Sequence, residues 1–275
     1  MTGVRAFVFG PKSGRLTVWN GRTRPVVDFR IKVDVKAVQK QLSDLSARGI
    51  KDAMAFAINA TGKRCISDLQ SNMKDVFDRP TPFTLKGFYF KPAKASDLTG
   101  VILSRDKAPK GTPAGKYLAP QIFGGPRPMK KFEKALASIS GGQYVVPASP
   151  IALDANGNLN RGFLTQVLSR LGVMSNESKN LSEKTRRRLA KQKKNARGQA
   201  SEFFVAREKG NGRPRGIFKL VGKGHVEPVL WFLPRPPSYR KRFDPEQVVQ
   251  QAVDKYAPGA IEAAVRGAIT KGLGR

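Results

Sequence analysis

One cysteine and one histidine stand in a chain of 275 residues. Cys65 has no partner for an internal disulfide, and one Cys with one His cannot complete a Cys/His zinc site. His225 is the sole imidazole, so a Ser-His-Asp or Cys-His arrangement would have to use it. Its surroundings, "GKGHVEP", supply no nucleophile, and a surface or turn histidine is the expected reading. Acid is scarce as well: 20 Asp and Glu face 51 Lys and Arg. Asp75 and Asp78 straddle an expected helix end, Asp244 stands where a helix cap belongs, and no D-x-D pair or calcium loop appears. A two-metal nuclease or a protease is therefore disfavoured, and no catalytic, cofactor-binding or metal-binding residue is assigned. The opening residues lack the apolar run of a signal peptide, and no window reaches membrane-spanning length. Synthesis in a reducing cytosol, with no membrane partner, is expected.

What is present is positive charge on a chain with enough apolar residues for a core. The formal charge is +31, and 40% of residues are apolar. Such a potential favours phosphate backbones, anionic surfaces or acidic proteins. The densest block is "SEKTRRRLAKQKKNARGQ", within a basic segment over 176–200. Lys184, Arg186, Arg187, Arg188, Lys191, Lys193, Lys194 and Arg197 would surround a helix on every side, neutralising phosphates without reading sequence. No aromatic residue lies among them to stack bases. The block reads as a cationic arm for DNA or an acidic partner, or as a solvated, partly disordered loop.

Periodicity predicts the elements. "VRAFVF" and "RLTVW" flank "GPKSG" as an expected hairpin, and "PVVDFRIKVDV" alternates as a half-buried strand. Asp34 is expected to cap a first helix carrying Val38, Leu42 and Leu45. Ile50, Met54, Ala57, Ile58, Thr61, Cys65, Leu69, Met73 and Val76 make one apolar stripe on a long second helix. Arg79, Pro80 and Pro82 define the turn that stops it.

"FTLKGFYFKPA" and "LTGVILSRD" look strand-like, and residues 108–128 read as an ordered Pro/Gly loop. Tyr117, Leu118, Ile122, Phe123 and Arg127 are its candidate interface residues. A short helix is expected over 130–138, and another in "GNLNRGFLTQVLSRL". Strands are expected in "QYVVPAS", "SEFFVAREK", "RGIFKLVG" and "VEPVLWFLP". Asp244, Pro245 and Gln247 form a helix start, with a break or kink at Pro258-Gly259. "GTPAGKY" lacks P-loop spacing, and "EKGNGRPRG" has no helix after it to receive a phosphate. The expected fold is α+β: long N-terminal and C-terminal helices packed on a mainly antiparallel sheet, with a basic loop or arm. Residues 1–28 read as a hairpin-like extension and 29–275 as a single domain.

Several blocks, in order, resemble a known family: "VFDRPTPFTLKGFYFKPA", "KGTPAGKYLAPQIFGGPRPMKKFEKAL", "YVVPAS" with "LDANGNLNRGFLTQVLSRL", and "PVLWFLPRPPSYRKRFD". They are similar to minor tail or tail-completion (neck) proteins of tailed bacteriophages and prophages, akin to the protein Z family of lambdoid phages. The resemblance runs from about Val33 onward. It implies a structural virion protein without enzymatic activity or cofactor, assembled in the host cytoplasm and placed at the head-to-tail junction. The implied partners are further copies in a ring of about six or twelve, head-closure or connector proteins, tail-terminator or tail-tube proteins, and DNA in the channel. The alternative reading of the residues is a nonspecific nucleic-acid-binding protein.

Overall fold

The computed structural model describes residues 6–9, 17–19, 22–24, 28–33, 47–108, 111–148, 153–174, 176, 178, 180, 182–191, 202–221 and 225–273. The fold is α+β, with long helices toward both ends packed on antiparallel strands. The chain divides into two compact units. Unit 1 is Met1–Gly125 with Arg240–Arg275, and unit 2 is Pro126–Tyr239.

Unit 1 holds a four-stranded antiparallel sheet of β1 (Ala6–Phe9), β4 (Asp28–Val33), β5 (Phe88–Lys91) and β6 (Thr99–Ser104), in the order β1-β4-β6-β5. The strands on either side of "GPKSG", which itself lies outside the described residues, do not pair with each other. β1 pairs with β4 instead, Ala6 opposite Val33, while β2 (Thr17–Trp19) pairs with β3 (Arg22–Arg24). The expected helix behind Asp34 lies outside the described residues.

The long helix is α1 (Ala47–Val76), and its apolar stripe faces inward as its period requires: Met54, Cys65, Leu69 and Met73 are fully buried. Its partner is α8 (Pro245–Leu273), which contributes Val249, Ala252 and Val253 to the same core. Asp244 caps α8, its Oδ1 accepting from the Gln247 amide at 3.2 Å, and α8 continues through Pro258, where a break or kink is expected. Each large aliphatic side chain buried here contributes about 1.5–3 kcal/mol of transfer free energy.

Two glycines set how closely α1 approaches the sheet. A Cβ on Gly62 would lie 2.3 Å from the Phe90 ring, and one on Gly100 would lie 2.7 Å from Ile58 and 2.8 Å from the same ring. Phe90 therefore occupies space that only glycine leaves free on both layers. α2 (Pro82–Leu85) and α3 (Ala114–Phe123) complete unit 1.

Unit 2 holds a second antiparallel sheet, β8 (Tyr144–Pro147), β11 (His225–Leu233), β10 (Pro214–Val221) and β9 (Glu202–Arg207), in that order. Gly216 is required at the β10–β11 contact, because a Cβ there would meet the Leu230 carbonyl oxygen at 2.3 Å. Against one face pack α4 (Lys131–Ala135), α5 (Ala137–Ser140) and α6 (Arg161–Arg170), which bury Leu136 and Val167 against Val145, Ile217 and Leu230. The expected single helix over 130–138 is thus two short ones. α7 (Glu183–Lys191) follows, and two-residue strands, β7 (Gly125–Pro126) and β12 (Ser238–Tyr239), lie where the chain crosses between units.

Candidate docking surfaces

The turn after α1 is built much as its residues suggest. Arg79 takes a positive φ of 45°, a conformation most side chains avoid, and its guanidinium is held to Asp78 by contacts of 3.1 and 3.2 Å. Pro82 occupies the first turn of α2, behind Thr81, whose hydroxyl accepts from the Thr84 amide. Both residues of the Asp78–Arg79 pair are exposed, so the turn is fixed by backbone geometry more than by charge.

The region 108–128 is not a loop throughout. Ala114–Phe123 is helical despite Pro120, because Leu118 and Ile122, one turn apart, bury into the core of unit 1. Of the five candidate interface residues, Leu118 and Ile122 are therefore core residues. Tyr117 is half-buried, and its hydroxyl donates to Thr84 at 3.0 Å; burial raises its pKa, while the Thr84 bond opposes the shift. Phe123 alone points outward, at 59% exposure.

The Arg127 guanidinium is held inside unit 2. It pairs with Glu133 through two bonds of 2.5 and 2.8 Å, and also donates to the Val145 carbonyl. Glu133 is fully buried and accepts two further bonds, from the amides of Lys130 and Val145. Burial alone would raise the Glu133 pKa, but the Arg127 bonds and the two amides outweigh it and hold the carboxyl below its usual range. The signal for this pair was a Glu at the third position of a helix, which bonds back to the cap amide.

The cationic arm begins as a helix. α7 is capped by the Ser182 hydroxyl, and Lys184, Arg187 and Arg188 are exposed on it, with Arg187 reaching Glu183 at 3.3 Å. Arg186 and Lys191 belong to the same helix by backbone; Lys193, Lys194 and Arg197 lie outside the described residues.

Sequence reading missed a groove in unit 1 between α1 and the outermost strand β5. Asn59, Lys63, Ile66 and Gln70, one stripe of α1, form one wall, and Phe88, Tyr89, Phe90 and Pro92 form the other, enclosing about 580 Å³. Lys86 and Arg105 stand at one end. Arg105 donates its Nε to the Lys86 carbonyl at 2.8 Å and lies 5.2 Å from the Tyr89 ring. Asn59 closes the other end, where its side-chain amide bonds both the N–H and the C=O of Ala93. The available signal was a stripe at i, i+4, i+7 and i+11, polar except for Ile66, beside the apolar one.

Unit 2 carries an aromatic row on its sheet. Phe204 and Phe218 stack at 6.1 Å, and Phe218 meets Trp231 edge-on at 5.3 Å. Among the described residues no group of three or more His, Cys, Asp or Glu is placed to hold a metal ion. No family model, curated protein or solved structure matches the chain.

Proposed function

We propose that this protein is a structural subunit at the head-to-tail junction of a tailed bacteriophage. In this reading several copies form a ring or collar that joins capsid-side connector proteins to the tail. The ordered blocks similar to tail-completion proteins support the location. The observation that carries the assembly role is apolar surface left open on ordered elements. Phe56 is 66% exposed, Phe123 59% and Phe83 44%, and the outer strands of both four-stranded sheets have one edge without a strand neighbour among the described residues. Edges and rings of this kind favour coverage by another chain.

Electron microscopy of purified protein freed of nucleic acid tests the reading. Closed rings are expected, and separate monomers at micromolar concentration would count against self-assembly.

A second reading, a nonspecific nucleic-acid-binding protein, is favoured by the exposed cations of α7. It predicts DNA affinity that falls steeply with salt, because each neutralised phosphate releases counterions. Contacts built on apolar rings would not weaken in that way.

A further inference from the structure

We propose that the groove between α1 and β5 binds an extended, acidic segment of another protein, which adds as a fifth strand to the sheet of unit 1. The inference goes beyond the assembly role and stands on the groove itself.

Register shows which backbone groups are offered. The Arg105 amide donates to the Gly87 carbonyl at 2.8 Å, and Phe88 pairs with Ser104 across the ladder. In an antiparallel ladder hydrogen-bonded and non-bonded pairs alternate. Gly87, Tyr89 and Lys91 therefore turn their backbone groups toward β6, and Phe88 and Phe90 turn theirs toward the groove. β5 is the last strand of its sheet, so these outward groups have no strand partner among the described residues. A strand laid here would be walled by the Asn59-to-Gln70 stripe of α1, the arrangement in which strand addition gains affinity from main-chain bonds and selectivity from side-chain pockets.

Charge identifies the occupant. Lys63, Lys86 and Arg105 line the groove, and none of them is paired with a carboxylate among the described residues. Arg105 is exposed and held in place by the Lys86 carbonyl and the Tyr89 ring, and its guanidinium is suited to a carboxylate fork. A second copy of this chain, at +31, fits such a groove poorly, whereas an acidic segment is complementary to it. A nucleic-acid backbone would answer the cations but offers no regular row of donors for the Phe88 and Phe90 carbonyls. A peptide satisfies donors and acceptors alike.

The test uses the full chain and a fluorescent peptide of about eight residues alternating Glu and Val, the span of an ordinary strand. Anisotropy is compared with the same peptide N-methylated at alternate amides, and with single-stranded oligo-dT. The expected result is saturable binding that N-methylation on the edge-facing amides weakens about tenfold or more, and that Lys63→Glu and Arg105→Ala each weaken. Amide exchange of Phe88 and Phe90 should slow on binding while that of Tyr89 stays unchanged, a pattern mere charge attraction would not produce. The methylated-peptide comparison needs no altered protein, so a variant that fails to fold cannot obscure the result. No binding, equal binding of the methylated peptide, or unchanged exchange at Phe88 and Phe90 alongside tight oligo-dT binding would each overturn the proposal. Ring formation is measured separately, so either idea can fail alone.

Discussion

The two units are held together by different physics. Unit 1 has a continuous apolar core in which even the one thiol is buried, while unit 2 has a smaller apolar core and a fully buried carboxylate. Apolar burial has little dependence on pH or salt near neutrality. A buried ion pair depends on the protonation of one carboxyl and collapses energetically when either partner is removed. The basic charge of the chain thus conceals one unit built round an apolar core alone and another whose interior also encloses an Arg–Glu pair.

The contrast breaks most sharply at Glu133. Glu133→Ala leaves the Arg127 guanidinium and two amides without their acceptor and should cost unit 2 about 3–5 kcal/mol. One tryptophan lies in each unit, Trp19 and Trp231, so denaturation followed by fluorescence in a Trp19→Phe background reads unit 2. The same carboxyl sets a pH dependence. Its folded pKa is depressed, so its contribution is fully present above the unfolded value of about 4.3 and is lost as pH falls through the folded pKa. Acid titration should destabilise unit 2 below that unfolded value, and Glu133→Gln should flatten the response.

Unit 1 should break mainly through space. Gly62→Ala places a methyl against the Phe90 ring, which Gly100 already confines from the other layer, and should cost about 1–3 kcal/mol. Phe90→Leu in the same chain should recover part of the loss, and a double-mutant cycle in urea checks the coupling. A smaller effect is expected at Asp244→Ala, about 1 kcal/mol, from loss of the α8 cap and of the ion pair with Lys241. Thermal unfolding of variant and parent measures it.

The smallest signal is an absence of reaction. Burial, with a lesser contribution from Asp68, pushes the Cys65 thiol up to about 12, so it should resist a maleimide reagent in the native state and label only on unfolding. Rapid labelling of the folded protein would show that the apolar core of unit 1 opens locally.

Much of the fold was legible because it is local. The stripe from Ile50 to Val76 marks α1 to within three residues of its start, and Asp244 with Gln247 marks the start of α8. Pairing was not legible, because alternation shows that a strand exists but not which strand it meets. "GPKSG" has the composition of a hairpin turn, yet β1 pairs with β4 and β2 with β3. Residues 114–123 look like loop by the Pro and Gly content of their surroundings, whereas burial of Leu118 and Ile122 in the core goes with a helix.

The crossings at Gly125–Pro126 and Tyr239–Arg240 resemble neighbouring Pro-rich stretches, so composition does not mark the boundary between units. Of the candidate surfaces, the cations of α7 were plain in the sequence. The Arg127–Glu133 pair is local, but its enclosure by Val145, like the groove beside β5, depends on contacts between separate segments.

The central claim is that exposed apolar surface, and not charge alone, brings copies of this chain together. Light scattering coupled to size exclusion, on nuclease-treated protein at low and high salt, tests it most directly. The account predicts one discrete mass of several copies that survives high salt. A monomer at both salts that binds any DNA offered at low salt would contradict it and leave the cationic surface as the working part of the molecule.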